Sequence, residues 1–316
     1  VEIREPVFVL GAPRSGTTYL HRLLAADSRY TTFATWECLF APSITERKFW
    51  SGLASADRFL GAPFARSLGA LGRAALRWID DKHPLGLAEP EEDYFCFLPL
   101  LACFILVVPF PEARWVWRMG TFDRDLPTAE RQRLLTWYRR CLQRHLYAHG
   151  ADRTLLSKNA AFAGMARSLA REFPDARIVV CERDAVEVIA SQFNSVTDGL
   201  RLFGVPPDDR LFRRRLLDCL DFYYRNLEAL RRDLPPGRIA SAPMIELAAD
   251  PAALVRRLYQ RLGLTVTDSL EERLGELQRR GPHVPAPAPP LSSWGIDIAE
   301  VVRRFAAWTR KQEPQT

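Results

Sequence analysis

Residues 7–26 read VFVLGAPRSGTTYLHRLLAA, and the rest of the chain is organised around this stretch. Residues 7–10 are all apolar, which predicts a strand buried on both faces of a parallel sheet. Gly11, Pro13 and Gly16 then predict a tight turn, and Thr17 begins a helix with apolar residues on one side, namely Tyr19, Leu20, Leu23 and Leu24. A strand, a glycine loop and a helix N-terminus together direct backbone N–H groups at one point. The stretch therefore predicts a phosphate-binding loop.

The loop has the glycine spacing of a nucleotide-binding P-loop but lacks its lysine. Gly11 and Gly16 are five apart, as in a Walker A loop, whereas Thr17 stands where that loop has the Lys for the β- and γ-phosphates. The one loop cation is Arg14, whose forked guanidinium suits a phosphate group. Three hydroxyls offer further hydrogen bonds: Ser15, Thr17 and Thr18. The pattern weakens a kinase or NTPase interpretation and still predicts an anion site.

Composition narrows the class of protein. At 316 residues and 47% hydrophobic content, the chain is long enough for one large α/β domain or two small ones and is not disordered. The net charge is +6, and arginines recur along predicted helices, as at residues 213–215. The positive charge is consistent with an anionic cofactor, and it is also typical of solvated helix faces. Because no Lys/Arg-rich tail or nucleic-acid motif accompanies the charge, we predict no nucleic-acid partner.

Cysteine usage and hydropathy indicate the compartment. No C-x-x-C pair occurs among the six cysteines, so we predict core thiols in a reducing compartment rather than disulfides or zinc ligands. Because the sequence starts close to the first strand, we expect no signal peptide. Its longest apolar run, residues 95–110, is too short to cross a bilayer. This run indicates either a buried segment or an apolar lining of a pocket for a lipid-like acceptor. We expect a cytoplasmic protein, with peripheral membrane contact as the alternative.

Two residues in the first half of the chain are candidate general bases. Glu37 stands among apolar residues, which would raise its pKa and suit proton abstraction; a surface or capping acid is the alternative. His83 is a second candidate base or acceptor ligand, although a lone His beside a Pro is more often structural. Residues 41–128 are predicted to be a largely helical insertion that shapes the acceptor pocket. The acidic residues 89–93 within it predict a solvated helix start.

Residues 129–149 predict a long amphipathic helix. Its apolar stripe comprises Leu134, Leu135, Tyr138, Leu142 and Leu146. His145 and His149 are four apart, a spacing that places two metal ligands on one face. The Glu of an H-E-x-x-H motif is missing and no third ligand is evident, so no metal is predicted.

Two further apolar strands are each followed by a basic residue. Lys158 follows the strand at residues 154–156, and Arg183 follows the strand at residues 176–181, with Ser191 eight residues later. At the carboxyl edge of a parallel sheet, Lys158 would neutralise an anionic ligand, whereas Arg183 taken alone could be a salt-bridge residue. With a further strand at residues 238–240, the pattern predicts a three-layer α/β fold of P-loop type, in which helices flank a central parallel sheet. We see no second domain and predict one domain over residues 1–316.

Three features together resemble the PAPS-dependent sulfotransferases, especially their bacterial branch. They are the PRSGTT loop at residues 13–18, the strand that ends in Lys158, and the R-D-x6-S element from Arg183 to Ser191. The resemblance implies transfer of a sulfonate group from PAPS to a hydroxyl of a small-molecule, lipid-like or carbohydrate acceptor, giving a sulfate ester and PAP. It implies that Arg183 and Ser191 hold the 3′-phosphate. It also implies that the 5′-phosphosulfate is held by the loop residues Arg14, Ser15, Gly16, Thr17 and Thr18.

The resemblance extends to the chemistry. Glu37 and Lys158 match the Glu and Lys positions of tyrosylprotein-type relatives. Glu37 would then take the hydroxyl proton, while Arg14 and Lys158 stabilise charge around the sulfonyl group without a metal. His83 is the reserve base, because residues 159–162 read NAAF where many relatives carry a His soon after the Lys. A P-loop kinase or NTPase and a non-catalytic nucleotide-binding protein remain as alternatives.

Overall fold

The computed structural model describes residues 1–40, 43–63, 92–280 and 290–309. A five-stranded sheet lies at its centre, formed by β1 Val7–Gly11, β2 Tyr30–Thr31, β3 Thr154–Lys158, β4 Arg177–Glu182 and β5 Ile239–Pro243. Neighbouring strands are parallel in the order β2-β3-β1-β4-β5. The chain order of the strands reverses direction around β1, and parallel α/β sheets bind ligands outside the carboxyl ends of strands at such a point.

Helices flank this sheet. The α-helices are α1 Thr17–Leu24, α2 Thr35–Phe40, α3 Ile44–Phe59, α4 Arg114–Gly120, α5 Phe122–Asp125, α6 Thr128–His149, α7 Ala166–Glu172, α8 Ala185–Leu202, α9 Arg210–Asp233, α10 Met244–Ala249, α11 Pro251–Arg261, α12 Asp268–Arg280, α13 Ile298–Arg304 and α14 Ala306–Thr309. Four short segments are 3-10 helices: η1 Asp93–Leu100, η2 Phe104–Val107, η3 Ala160–Met165 and η4 Leu291–Trp294.

Two hydrophobic cores lie on opposite faces of the sheet. Phe8 and Leu10 of β1 contribute to the larger core, together with residues of α6, α8 and α9. Val7 and Val9 contribute to the smaller one, together with residues of α1, α11 and α12. Alternate residues of a strand point to opposite faces, so an apolar run in a sheet covered on both sides must be continuous. The three-layer α/β fold is therefore confirmed.

The observed elements follow the sequence pattern with local differences. The amphipathic helix predicted at residues 129–149 is confirmed as α6. After β3 the chain forms the 3-10 helix η3, which leads directly into α7. Strand β5 extends to Pro243, beyond the expected residues 238–240. Strand β2 was not expected, because a two-residue strand leaves no periodic pattern; only its pairing with β3 defines it.

The described part of residues 41–128 contains α3, η1, η2, α4 and α5. Its apolar run at residues 95–110 is not one buried segment: Cys96 and Cys103 are buried, whereas Leu101 and Phe110 are 63% and 56% exposed. A 3-10 helix has three residues per turn, so a continuously apolar run wound this way presents some side chains outward. Residues 64–91 of the predicted helical insertion, which include His83, lie outside the described residues. The assignment of this segment to the acceptor stays a prediction.

Candidate active site

The loop after β1 has the geometry of an anion cradle. An added Cβ at Gly11 would lie 2.7 Å from the carbonyl oxygen of Cys181, so only Gly lets the loop leave the sheet here. Gly16 has a left-handed φ of 84° and forms the N-cap of α1. No side chain caps α1 and no acidic residue lies in its first turn, so the N–H groups of Thr17 and Thr18 face the loop without a competing carboxylate.

Three predicted donor-binding residues lie together beside this loop. The Arg14 Nε donates to Ser191 Oγ at 3.1 Å, and the Arg183 Nη1 donates to the Arg14 carbonyl at 2.9 Å. Asp184 caps α8 by accepting from the N–H groups of Val186 and Glu187, which fixes the helix that carries Ser191. The end of β4, which Arg183 directly follows, and the first two turns of α8, which carry Ser191, thus converge on one loop.

The electrostatics of this corner favour an anion. Burial lowers the pKa of the Arg14 guanidinium, and the neighbouring charge of Arg183 lowers it further. Arg183 is also paired with Glu187 at 2.8 Å. Two close guanidinium groups destabilise each other's charge, and a phosphate between them would remove that penalty.

Lys158 lies where the sequence places it, at the carboxyl end of β3. It is in register with Val9 of β1, two residues before the loop begins, and is only 2% exposed. Its Nζ forms an ion pair with Glu92 Oε1 at 2.8 Å. The sequence did not single out Glu92, because it belongs to the acidic residues 89–93 that resemble a solvated helix start.

Two buried polar groups near the loop have no hydrogen-bond partner among the described residues. They are Ser15 Oγ, in the loop itself, and Asn159 Nδ2, next to Lys158; both residues are fully buried. Buried polar groups are normally paired, so an orphaned hydroxyl and an orphaned amide indicate a missing oxygen-rich ligand. The residues present therefore fit a phosphate or sulfonate group.

Glu37 lies in a different environment from the one expected. Its Oε1 lies 2.6 Å from His149 Nε2 and 3.5 Å from His145 Nδ1, and it also contacts the Arg47 guanidinium. Burial by itself raises the pKa of the Glu37 carboxyl, but hydrogen bonds from the two histidines outweigh burial and hold it well below its usual range. The expected rise in pKa was wrong: the apolar neighbours in sequence are replaced in space by cationic and hydrogen-bonding groups of α3 and α6.

Glu37, His145 and His149 also form a possible set of metal ligands, since one ligand atom of each lies within 4.8 Å of the others. No third ligand beside the two histidines is evident from the sequence; in the structure Glu37 of α2 takes that position. The Arg47 guanidinium contacts Glu37 and lies 3.1 Å from His149 Nε2, so a positive charge already neutralises this carboxylate. A divalent cation would have to displace Arg47.

The end of the acidic run is buried rather than solvated, which corrects the expected helix start. Asp93 is 1% exposed and accepts a 2.5 Å hydrogen bond from the Tyr138 hydroxyl, which lies 3.3 Å from Ser157 Oγ. Burial raises the pKa of the Asp93 carboxyl to about 6. Asp93 and Glu92 thus anchor η1 beside the end of β3. Residues 89–91 lie outside the described residues.

Comparison with known proteins identifies the family to which the chain belongs. Residues 6–268 match the family described as the sulfotransferase family. This is most of the chain, and the chain belongs to that family.

Two curated relatives are omega-hydroxy-beta-dihydromenaquinone-9 sulfotransferases Stf3, from Mycobacterium tuberculosis and Mycobacterium bovis. Each is 30% identical over 268 residues, which cover 82% of this chain and 63% of the relative. The chain thus spans less than two thirds of the length of these relatives.

Solved structures show the same fold. Sulfotransferase STF9 from Mycobacterium avium matches with a TM-score of 0.76 and 19% identity, over 98% of this chain and 76% of the other. Sulfotransferase STF1 from Mycobacterium tuberculosis matches with a TM-score of 0.69 and 21% identity, over 97% and 78%. Among the described residues, none of the helices has the length and apolar character needed to cross a membrane.

Proposed function

We propose that the chain transfers a sulfonate group from 3′-phosphoadenosine 5′-phosphosulfate (PAPS) to a hydroxyl of a lipid-like acceptor. The observation that carries the proposal is the convergence of Arg14, Arg183 and Ser191 on the loop after β1. Family membership and the relatives that act on a hydroxylated menaquinone support the reaction class and an apolar acceptor. Six buried free cysteines support a reducing compartment, so we place the protein in the cytoplasm.

Two sets of residues would hold the donor. The 5′-phosphosulfate would be held by Arg14, Ser15, Gly16, Thr17 and Thr18, with Ser15 Oγ gaining the partner it lacks. Arg183 and Ser191 would hold the 3′-phosphate, the group that distinguishes PAPS from ADP-like nucleotides. When bound, PAPS supplies an activated sulfonate and a phosphate leaving group that is already a stabilised anion. Such a leaving group needs no metal.

Residues of the chain would then stabilise the negative charge that develops during transfer and accept one proton. Lys158 and Arg14 would stabilise negative charge at the sulfonyl oxygens and at the bridging oxygen of the departing nucleotide. Glu37 would accept the proton of the acceptor hydroxyl. Its low pKa keeps it ionised at neutral pH, but also makes it a weak base while Arg47 and the histidines bind it. Proton transfer to Glu37 therefore requires that these contacts loosen.

Glu92 is a second candidate base for the same reaction. Its carboxylate already lies on Lys158, the residue proposed to face the sulfonyl group. We therefore propose Glu37 as the general base. Glu92 is the alternative among the residues that the structure describes. His83 remains the reserve base predicted from sequence.

Conservative substitutions separate these candidates. The variants Glu37→Gln and Glu92→Gln should be assayed for transfer from radiolabelled PAPS to an omega-hydroxylated prenyl quinone and, by calorimetry, for PAP binding. Glu112→Gln, an exposed acid, is the control. Loss of general-base catalysis lowers turnover roughly 100-fold or more, and PAP affinity should stay unchanged in the affected variant. Full activity in both variants would remove both carboxylates from the role and leave His83.

Nucleotide selectivity tests the donor itself. Wild-type protein should bind PAP in preference to ADP and ATP. A hydrogen bond to a charged group is worth about 1.5–3 kcal/mol, so Arg183→Ala should weaken PAP binding roughly tenfold or more, with little effect on ADP. Arg232→Ala, at an exposed position, is the matched control. Equal or stronger binding of ATP would instead favour a kinase or NTPase.

A further inference from the structure

A groove outside the loop region lies between the end of η1, α4 and the first half of α6. Its volume is about 740 Å³. Ala102, Met119 and Leu134 line it with buried apolar groups, and Leu100 and Trp115 border it with partly exposed ones. None of the residues assigned to the donor lines this groove.

Leu100 and Trp115 of the groove lie at the two ends of a segment that is rich in exposed apolar side chains. Within residues 100–115, five large apolar side chains are 41–63% exposed, namely Leu100, Leu101, Ile105, Phe110 and Trp115. Leu101 has a left-handed φ of 51°, a conformation that a branched side chain rarely adopts. Hydrogen bonds from the N–H groups of Leu101 and Ala102 to Leu98 and Phe97 hold this turn. Leu101 is thus held in an exposed position although its backbone conformation is strained.

The charge of the groove is positive. Arg133 and Arg140 line it, are exposed, and make no ion pair with any described residue. The one carboxylate in the lining, Glu130, lies 3.8 Å from Arg118. Apolar side chains next to unpaired arginines suit a partner with an apolar interior and an anionic surface. A second copy of this groove would repel the first.

We propose that the groove and the exposed residues 100–115 dock on a bilayer that contains anionic lipids. Leu101 and Trp115 would enter the acyl region, and Arg133 and Arg140 would bind lipid phosphates. The proposal deepens the proposed function, because a lipid-like acceptor would be reached from that bilayer. Helix η1 links the two places: it follows Glu92, the partner of Lys158, and ends at Leu100 on the groove. Eight residues of 3-10 helix span about 16 Å.

Vesicle binding tests the docking surface without using catalysis. Wild-type protein should co-sediment with phosphatidylcholine vesicles that contain phosphatidylglycerol, more weakly with phosphatidylcholine alone, and less as salt rises. Each basic residue near an anionic surface contributes about fivefold, so the double variant Arg133→Gln/Arg140→Gln should bind roughly 30-fold more weakly. The double variant Leu101→Ser/Trp115→Ser should also lose binding. Leu202→Ser/Phe203→Ser removes two apolar side chains that are 60% and 53% exposed elsewhere and is the control.

PAP calorimetry and thermal melting show that each variant is folded and keeps its donor site. Vesicle binding that is equal in all variants, or equal with and without phosphatidylglycerol, would overturn the proposal. So would binding of monomeric short-chain phosphatidylglycerol without vesicle binding, which would indicate a pocket for single lipids. If vesicles bind as expected while PAP does not, the proposed function fails and the docking surface stands.

Discussion

Replacing Asp93 with Asn should remove a pH-dependent loss of stability that the wild-type chain carries between about pH 4.5 and pH 7.5. Asp93 is fully buried beside the end of β3, and burial raises its pKa from the ordinary 3.8 to about 6, against the opposing hydrogen bonds from Tyr138 and Ser157. The protonated carboxyl is therefore favoured in the folded chain. Asn is neutral at every pH and can still accept the hydrogen bond from Tyr138.

The magnitude follows from proton linkage. Each pKa unit corresponds to about 1.36 kcal/mol, so a rise of about two units is worth about 3 kcal/mol in all. Because the folded pKa lies above the unfolded one, this stabilisation is fully present below about pH 3.8 and is lost as the pH rises through about 6. Between about pH 4.5 and pH 7.5 the loss is about 2 kcal/mol.

Urea unfolding at both pH values measures this loss. The free energy of unfolding of wild type, relative to Asp93→Asn, should fall by about 2 kcal/mol from the lower to the higher pH. Asp208→Asn, which removes an exposed carboxylate, controls for the change in net charge. An identical pH dependence in wild type and Asp93→Asn would refute the reasoning, since the carboxyl would then titrate alike in both states.

Two further substitutions test the packing and the donor corner. Gly164→Ala should destabilise the fold by about 1–3 kcal/mol, because the added Cβ would collide with the carbonyl oxygen of Gly120; Gly52→Ala meets nothing, and thermal melting should show it neutral or stabilising. Asp184→Ala removes the cap of α8 and should cost about 1 kcal/mol in melting experiments. Calorimetry should also show weaker PAP binding for Asp184→Ala, whereas unchanged PAP affinity would mean that the cap does not position Arg183.

Features that depend on neighbours in sequence could be predicted. The apolar run of β1, the glycine loop and the start of α1 are local patterns, and they correctly indicated the parallel sheet. The anion site that they predict after β1 stays a prediction. The helix α6 and the strand before Lys158 follow equally local signals. For Arg183 and Ser191, spacing alone left a salt-bridge role open, and only the family resemblance placed the pair at the donor site. In the structure both contact Arg14 of the loop, and Asp184 caps the helix that carries Ser191.

The environment of each ionisable group could not be predicted in this way. Glu37 was expected in apolar surroundings, and Glu92 and Asp93 were expected in solvent. Packing of α2 against α6 gives Glu37 two histidines, while η1 places Glu92 on Lys158 and buries Asp93. Lys158 and Glu92 are 66 residues apart in the chain, and Glu37 and His149 are 112 residues apart.

Local sequence patterns were thus sufficient for the class of fold and for the strand, glycine loop and helix around residue 11, because backbone geometry and apolar periodicity act over a few residues. The tertiary structure decided which carboxylates are ionised, which polar groups in the loop lack partners, and which apolar side chains face solvent. These properties depend on burial and on charges within a few ångströms, and only the folded chain brings such groups together.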